Sequence, residues 1–425
     1  MNDLRRLVTF ALGVVGIALL GACQEKLEGG AACPSLCPEQ ELEVRDTVLM
    51  AAVSLDTTLL DYPRPGTEPL MLVAARGDTL RSAAVLRFDT LFNRISRGTD
   101  TSQQHVVAVD TASVVLTIAD TLLKSGPVTF AVYDVDTTVA AEPDTAAVRT
   151  LFRPDRLLAT QTVPDSALAG QLRIAVPKQF VEQRVLSGGR VRLGITVTGP
   201  STELRVVSSE GGATAALSYL ARAAVDTQTL QVSAFTRAPE GTTGLTAFRD
   251  YQLVLVQPPA PAGVLAVGGI PGRRVYLRFD LPPALVETTT VVRATLVLTQ
   301  VPNTAWAARD TVKVLPRIVT ASSILDPEPG KAALLLASPA VGPPVSPIPA
   351  AQGGTRRIEM ASVVRRWRAA GTQDLTHALV LQDQSDLNEG SQPRSVFFYS
   401  IDAADPDVRP RLEISFIPRA GFGLP

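Results

Sequence analysis

The chain has 425 residues, 46% of them hydrophobic and 19% charged, with a formal net charge of −1. That balance belongs to a packed protein and excludes a disordered one. No broad basic surface is available to neutralise a phosphate backbone, which argues against nucleic acid as a partner. The length suits two domains better than one core.

The N-terminus opens with Arg5 and Arg6, then an apolar run over 7–19 broken only by Thr9 and two glycines. A membrane-spanning helix needs roughly 20 apolar residues, and this run is shorter. It meets Leu20-Gly21-Ala22-Cys23: a branched apolar residue, two small ones and a cysteine. The stretch resembles the lipobox of bacterial lipoproteins; an ordinary signal peptide or a short membrane anchor is the alternative. The resemblance implies a signal peptide over 1–22, cleavage before Cys23, and lipid (palmitate among its acyl chains) on that cysteine. Several acyl chains anchor firmly where a single one is marginal. Gln24, rather than Asp, resembles the Gram-negative pattern that directs a lipoprotein to the outer membrane, with either membrane face open.

Residues 23–43 are small, polar and rich in Pro and Gly, and read as a flexible tether. They carry Cys33 and Cys37, with no histidine or further cysteine nearby to complete a zinc site. In an oxidising compartment a local disulfide, free thiols and bonding to another chain all remain open. The loop such a disulfide closes is too small to stabilise a domain much.

Beyond the tether, short runs rich in Val, Leu, Thr and Ile recur between Gly, Pro, Asp and Asn. They fall at 44–53, 83–88, 113–118, 128–135 and 191–197, then at 251–256, 274–279, 291–298, 378–382, 396–399 and 411–417. Their lengths suit strands. Several alternate, as Val114, Leu116 and Ile118 do against Val115, Thr117 and Ala119. Many short strands with turn signals between them predict an all-β fold of antiparallel sandwiches.

The chain also repeats itself. Leu86-Arg87-Phe88-Asp89 returns as Leu277-Arg278-Phe279-Asp280, each followed by a polar stretch and a similar strand. Residues 174–188 resemble 358–371: each has apolar spacing that fits one short helix, and each ends in glycine. Residues 204–209 and 215–220 match 395–400 and 411–417. The spacing predicts two tandem sandwiches, over 44–224 and 225–420. Residues 139–154, 258–263 and 326–354 look like insertions, and the last, rich in Pro, Ala and Gly, reads as a semi-extended surface strap.

Leu277 to Asp280, Ala294 to Leu298, the Trp367-containing segment and Pro410-Arg411-Leu412 follow the order of motifs in DNRLRE-domain proteins. The chain resembles that family, which implies jelly-roll-like sandwiches at a cell surface. The first copy lacks the tryptophan and the Pro-Arg-Leu strand, and neither copy contains the six-letter signature. The resemblance implies carbohydrate binding only loosely, because such sandwiches also serve adhesion and spacing.

Signals for chemistry are sparse. His105 and His377 are the two histidines, and neither a metalloprotease helix motif nor a Gly-x-Ser-x-Gly motif occurs. The sequence 267–272 lacks the Lys-Ser/Thr of a phosphate loop. Asp89 and Asp280 hold equivalent repeat positions, which points to a structural role such as pairing with Arg87 and Arg278. Asp383, Asp386, Asn388 and Glu389 offer oxygen ligands within one loop, the donor set calcium prefers, against the reading of a solvated polar turn. Trp367 has the spacing of a core residue, whereas Trp306 lies in a polar loop as a candidate glycan contact. The expectation is a non-catalytic, lipid-anchored envelope protein that binds or braces a polysaccharide or another envelope protein. A carbohydrate-binding lipoprotein and a glycan-active enzyme are the alternatives.

Overall fold

The computed structural model describes residues 44–418, apart from 61–65, 137–144, 225–228, 238–247, 257–261, 370–375, 386–391 and a few isolated positions. Cys23, Cys33, Cys37 and the rest of the expected signal peptide and tether lie outside the described residues, as do Asp386, Asn388 and Glu389.

The fold is all-β and antiparallel. The first half supplies β1 (Arg45–Leu49), β2 (Val53–Leu59), β3 (Leu70–Arg76), β4 (Leu80–Phe88), β5 (Arg94–Arg97), β6 (Asp100–Leu123), β7 (Val128–Asp134), β8 (Leu157–Val163), β9 (Gly170–Ala175), β10 (Val191–Thr198), β11 (Thr202–Val207) and β12 (Ala216–Ala223). The second supplies β13 (Thr229–Phe235), β14 (Asp250–Val256), β15 (Val264–Gly268), β16 (Arg274–Phe279), β17 (Thr289–Val301), β18 (Thr311–Ile318), β19 (Ser346–Pro349), β20 (Gly354–Glu359), β21 (Ala378–Asp383), β22 (Ser395–Tyr399) and β23 (Arg411–Pro418). All but one of the apolar runs read from the sequence fall on a single strand. The run 44–53 splits into β1 and the start of β2 around a turn closed by Ala52 N–H donating to Leu49.

The repeat is visible in the ladders. β6 pairs with β12, β11 and β9, as β17 pairs with β23, β22 and β20. β10 joins β4 to β7, as β21 joins β16 to β18, and β8 edges β7 as β19 edges β18. One nine-residue helix follows β9 and another follows β20, Lys178–Leu186 and Ala361–Ala369. Gly188, at φ 60°, and Gly189 close the first, with Gly189 N–H donating to Arg184 at 2.8 Å. Val181 and Val185 anchor that helix; Val363, Val364 and Trp367 anchor the other.

The leading strands cross between the copies. β1 pairs with β23 and β2 with β16, both in the second copy. β13 pairs with β12 and β14 with β4, both in the first. Each copy therefore begins with two strands that complete the other copy's sheets, and the ladders cross the expected 224/225 division in both directions. Side chains fit each pair to the slot it fills: Ala52 and Val53 enter the second core, while Tyr251 and Leu253 pack with Val85 of the first copy.

Two cores result. One gathers residues between Met71 and Ala234, with Phe88, Phe130, Leu193 and Tyr219 fully buried. The other takes Ala52 and Val53 together with residues from Leu265 to Ile414, including Phe398 and Trp367. Ile270 of the second sandwich packs with Leu72, Ala74 and Leu80 of the first.

The segment read as an extended strap is partly regular. Its described residues contain a helical turn, Pro329–Ala332, and the edge strand β19. Ala332 and Ala333 are fully buried against Tyr276 and Val380, since small side chains lie flush on the outer sheet face. Pro347 and Pro349 fall on that edge strand, where missing N–H donors cost least.

Candidate functional site

A polar groove of about 220 Å³ lies on the outer face of the sheet formed by β1, β23, β17 and β20. Strand alternation turns Leu412 and Ile414 inward, leaving Arg411, Glu413 and Ser415 outward. β1 sets Asp46 beside Ser415, whose hydroxyl donates to the Asp46 carboxylate at 2.5 Å. From β20, Arg357 donates to Glu413 at 2.5 Å, and Arg411 approaches the same carboxylate at 3.8 Å. Arg293 of β17 also lines the groove, and no hydrogen bond or ion pair engages its guanidinium among the described residues. The groove therefore presents one uncommitted planar fork beside Thr47, Thr295 and Ser415. One wall is a strand of the first copy and the rest is second copy, so the strand crossing creates the site.

The residues singled out from sequence are scattered. Trp306 is half-buried and carries the Arg76 guanidinium 4.6 Å over its ring, while Arg76 donates to Ala305 at 3.0 Å. The ring thus forms part of a contact between the sandwiches. Trp367 is a core residue, its ring tilted against Phe279 and His377 with centroids 5.3 Å apart in each case. His377 is held below its usual range by burial, with Asp280 opposing. His105 is exposed on β6, opposite Arg94. Asp383 is buried at the end of β21 and accepts from Ser385 N–H at 3.1 Å. Among the described residues, no group of three or more His, Cys, Asp or Glu is arranged to hold a metal ion.

The equivalent aspartates diverge. Asp280 is exposed. The Asp89 side chain is 5% exposed and lies 3.4 Å from Arg87 and 3.2 Å from Arg192, two guanidiniums on directly paired residues of β4 and β10. Asp136 extends the network to Arg190 and Arg184. Sequence pointed to Asp89–Arg87 pairing but not to Arg192, which carries no local motif.

A carboxylate cluster also escaped the sequence. Glu68 and Asp250 are 4% and 1% exposed, and the charge of Glu210 acts on both. Asp250 accepts from Ser209 N–H at 3.2 Å and from the Thr236 hydroxyl at 3.3 Å. Burial pushes Asp250 up to about 6 and Glu68 up to about 7. Both folded values lie above the unfolded ones, so the folded state holds extra protons between about pH 4 and 7. Stability is fully present below that window and is lost as pH rises through it, by roughly 3 kcal/mol per group. Asp250→Asn is expected to raise the melting temperature at pH 7.5 relative to the parent while gaining nothing at pH 4.5. Melting curves of both proteins across that range check it; an equal offset at both pH values would refute it.

No protein-family model matches the chain, and no curated protein matches it. Among solved structures, the Macrobrachium rosenbergii nodavirus aligns at TM-score 0.15 and 10% identity, covering 91% of this chain and 96% of that one. The infectious bursal disease virus Gt strain aligns at TM-score 0.14 and 9% identity, covering 92% and 79%. Likeness at this level carries no argument. No helix among the described residues is long and apolar enough to cross a membrane.

Proposed function

We propose that this chain is a non-catalytic lipoprotein of the outer membrane, anchored through Cys23, whose paired sandwiches bind or brace another envelope component. The observation that carries the reading is the polar groove walled by β1, β17, β20 and β23. It is a sheet-face surface with a guanidinium that no described residue engages, and its hydroxyl–carboxylate pair, Ser415 on Asp46, has no histidine, lysine or cysteine among the lining residues beside it. The tether read from sequence ends at β1, the strand that forms one wall of the groove. The DNRLRE-like order of motifs favours the same surface role.

Metabolic labelling with an alkyne fatty acid and mass spectrometry of the N-terminal peptide test the anchor. The expected result is an acylated Cys23, with Cys23→Ser releasing the protein from the membrane fraction. An intact, unmodified N-terminus would overturn the proposal.

Carbohydrate recognition is the second reading, favoured by Arg293, which no described residue engages, among hydroxyl side chains. A glycan array should then show binding that Arg293→Ala weakens at least tenfold without moving the melting temperature. A silent array with the parent protein counts against this reading and leaves the first intact.

A further inference from the structure

We propose that this chain associates with a second copy of itself by exchanging the strand pairs β1–β2 and β13–β14 between molecules. The inference stands on topology and is independent of what the groove binds. Within one chain, the slot beside β23 and β16 is filled by the other copy's leading strands, and so is the slot beside β12 and β4. Each slot therefore accepts a strand pair delivered from outside its own repeat. A second molecule offers the identical pair, in the identical register, with every side-chain contact preserved.

The connections permit it. Ten residues separate Leu59 from Leu70, five separate Ala223 from Thr229, and seven separate Val256 from Val264. At roughly 3.3–3.6 Å per residue these reach some 17–36 Å, which spans several strands at about 4.8 Å spacing and so reaches an edge of an abutting sandwich. Since no contact is gained or lost, the balance between closed and exchanged forms is set by effective concentration. Short tethers hold the internal partner at about 1 mM. Refolding at about 100 μM should then leave on the order of one tenth of the chains exchanged, and at about 1 μM on the order of one thousandth. Exchange between folded molecules requires both strand pairs to leave their sheets, so it is slow without unfolding.

The register supplies a specific probe. Asp46 of β1 lies directly opposite Ser415 of β23. Two mature chains, both with Cys23, Cys33 and Cys37 replaced by serine, would carry Asp46→Cys in one and Ser415→Cys in the other. Unfolded together, refolded at 100 μM and oxidised, they are expected to give a mixed disulfide dimer about tenfold more abundant than after refolding at 10 μM. Mixing the two already folded proteins should give almost none. A mixed dimer that forms equally from folded proteins would mean edge-to-edge pairing, for which β13 with its 60% exposed Phe235 is the obvious edge, and would overturn the exchange. Absence of the mixed dimer after joint refolding would overturn it as well. A single chain bearing both substitutions, which should close its own disulfide, confirms that the two sites meet.

Discussion

A chain lacking residues 44–60 is expected to keep its first sandwich and lose its second. These residues precede the first copy in sequence, yet they complete the other. β2 forms a ladder with β16 from Arg274 to Phe279, and β1 forms one with β23 from Leu412 to Phe416. Ala52 and Val53 belong to the second core, and Leu49 packs against it. Full burial of each large apolar side chain is worth about 1.5–3 kcal/mol, and losing several approaches the 5–15 kcal/mol that holds a domain folded. The deletion also opens two sheet edges over an apolar interior. Hydrogen exchange read by mass spectrometry should show protection lost over 264–418 and retained over 70–256. The reverse pattern would show that the leading strands close their own copy.

Asp89→Ala should be among the most damaging single substitutions in the first sandwich, at about 3–5 kcal/mol. Arg87 and Arg192 are 2% and 6% exposed and face each other across β4 and β10, so their charges repel unless the carboxylate lies between them. Removing it leaves Arg87 buried without its carboxylate and Arg192 with Asp136 alone, at 3.8 Å, and the Arg87 Nε and one of its terminal nitrogens already lack a hydrogen-bond acceptor. Adding Arg192→Met to Asp89→Ala should recover part of the loss by removing the like charge that faces Arg87. Asp280→Ala, at the equivalent position of the second copy, should change stability by less than about 0.5 kcal/mol, because its side chain is exposed. Urea unfolding midpoints of the four proteins check the series. Equal effects at Asp89 and Asp280 would defeat the assignment of distinct roles.

Much of the architecture was readable because its signals are local. Period-two alternation marks strands such as β6, and the apolar spacing before Gly188 marks the helix Lys178–Leu186. The return of Leu-Arg-Phe-Asp at Leu277 marks the repeat. The site was far less readable. Arg293, Arg357 and Glu413 are separated by up to 120 positions and meet only because β17, β20 and β23 are neighbours in one sheet. Trp306 reads as an exposed loop aromatic; what it meets, Arg76, lies on the other sandwich. The two aspartates of the repeat look identical in sequence, and their burial differs because Arg192 stands opposite the first alone.

Sequence by itself determined that this protein is built twice from short antiparallel strands, since side-chain periodicity and turn chemistry are properties of neighbouring residues. Only the tertiary structure decided which leading strands close which sandwich. An antiparallel edge recognises main-chain donors and acceptors and an apolar face, and both copies offer the same ones, so no local pattern distinguishes the pairing within a copy from the pairing across copies. The groove walled by β1, β17, β20 and β23 inherits that decision, because it exists where a strand of one copy meets three of the other.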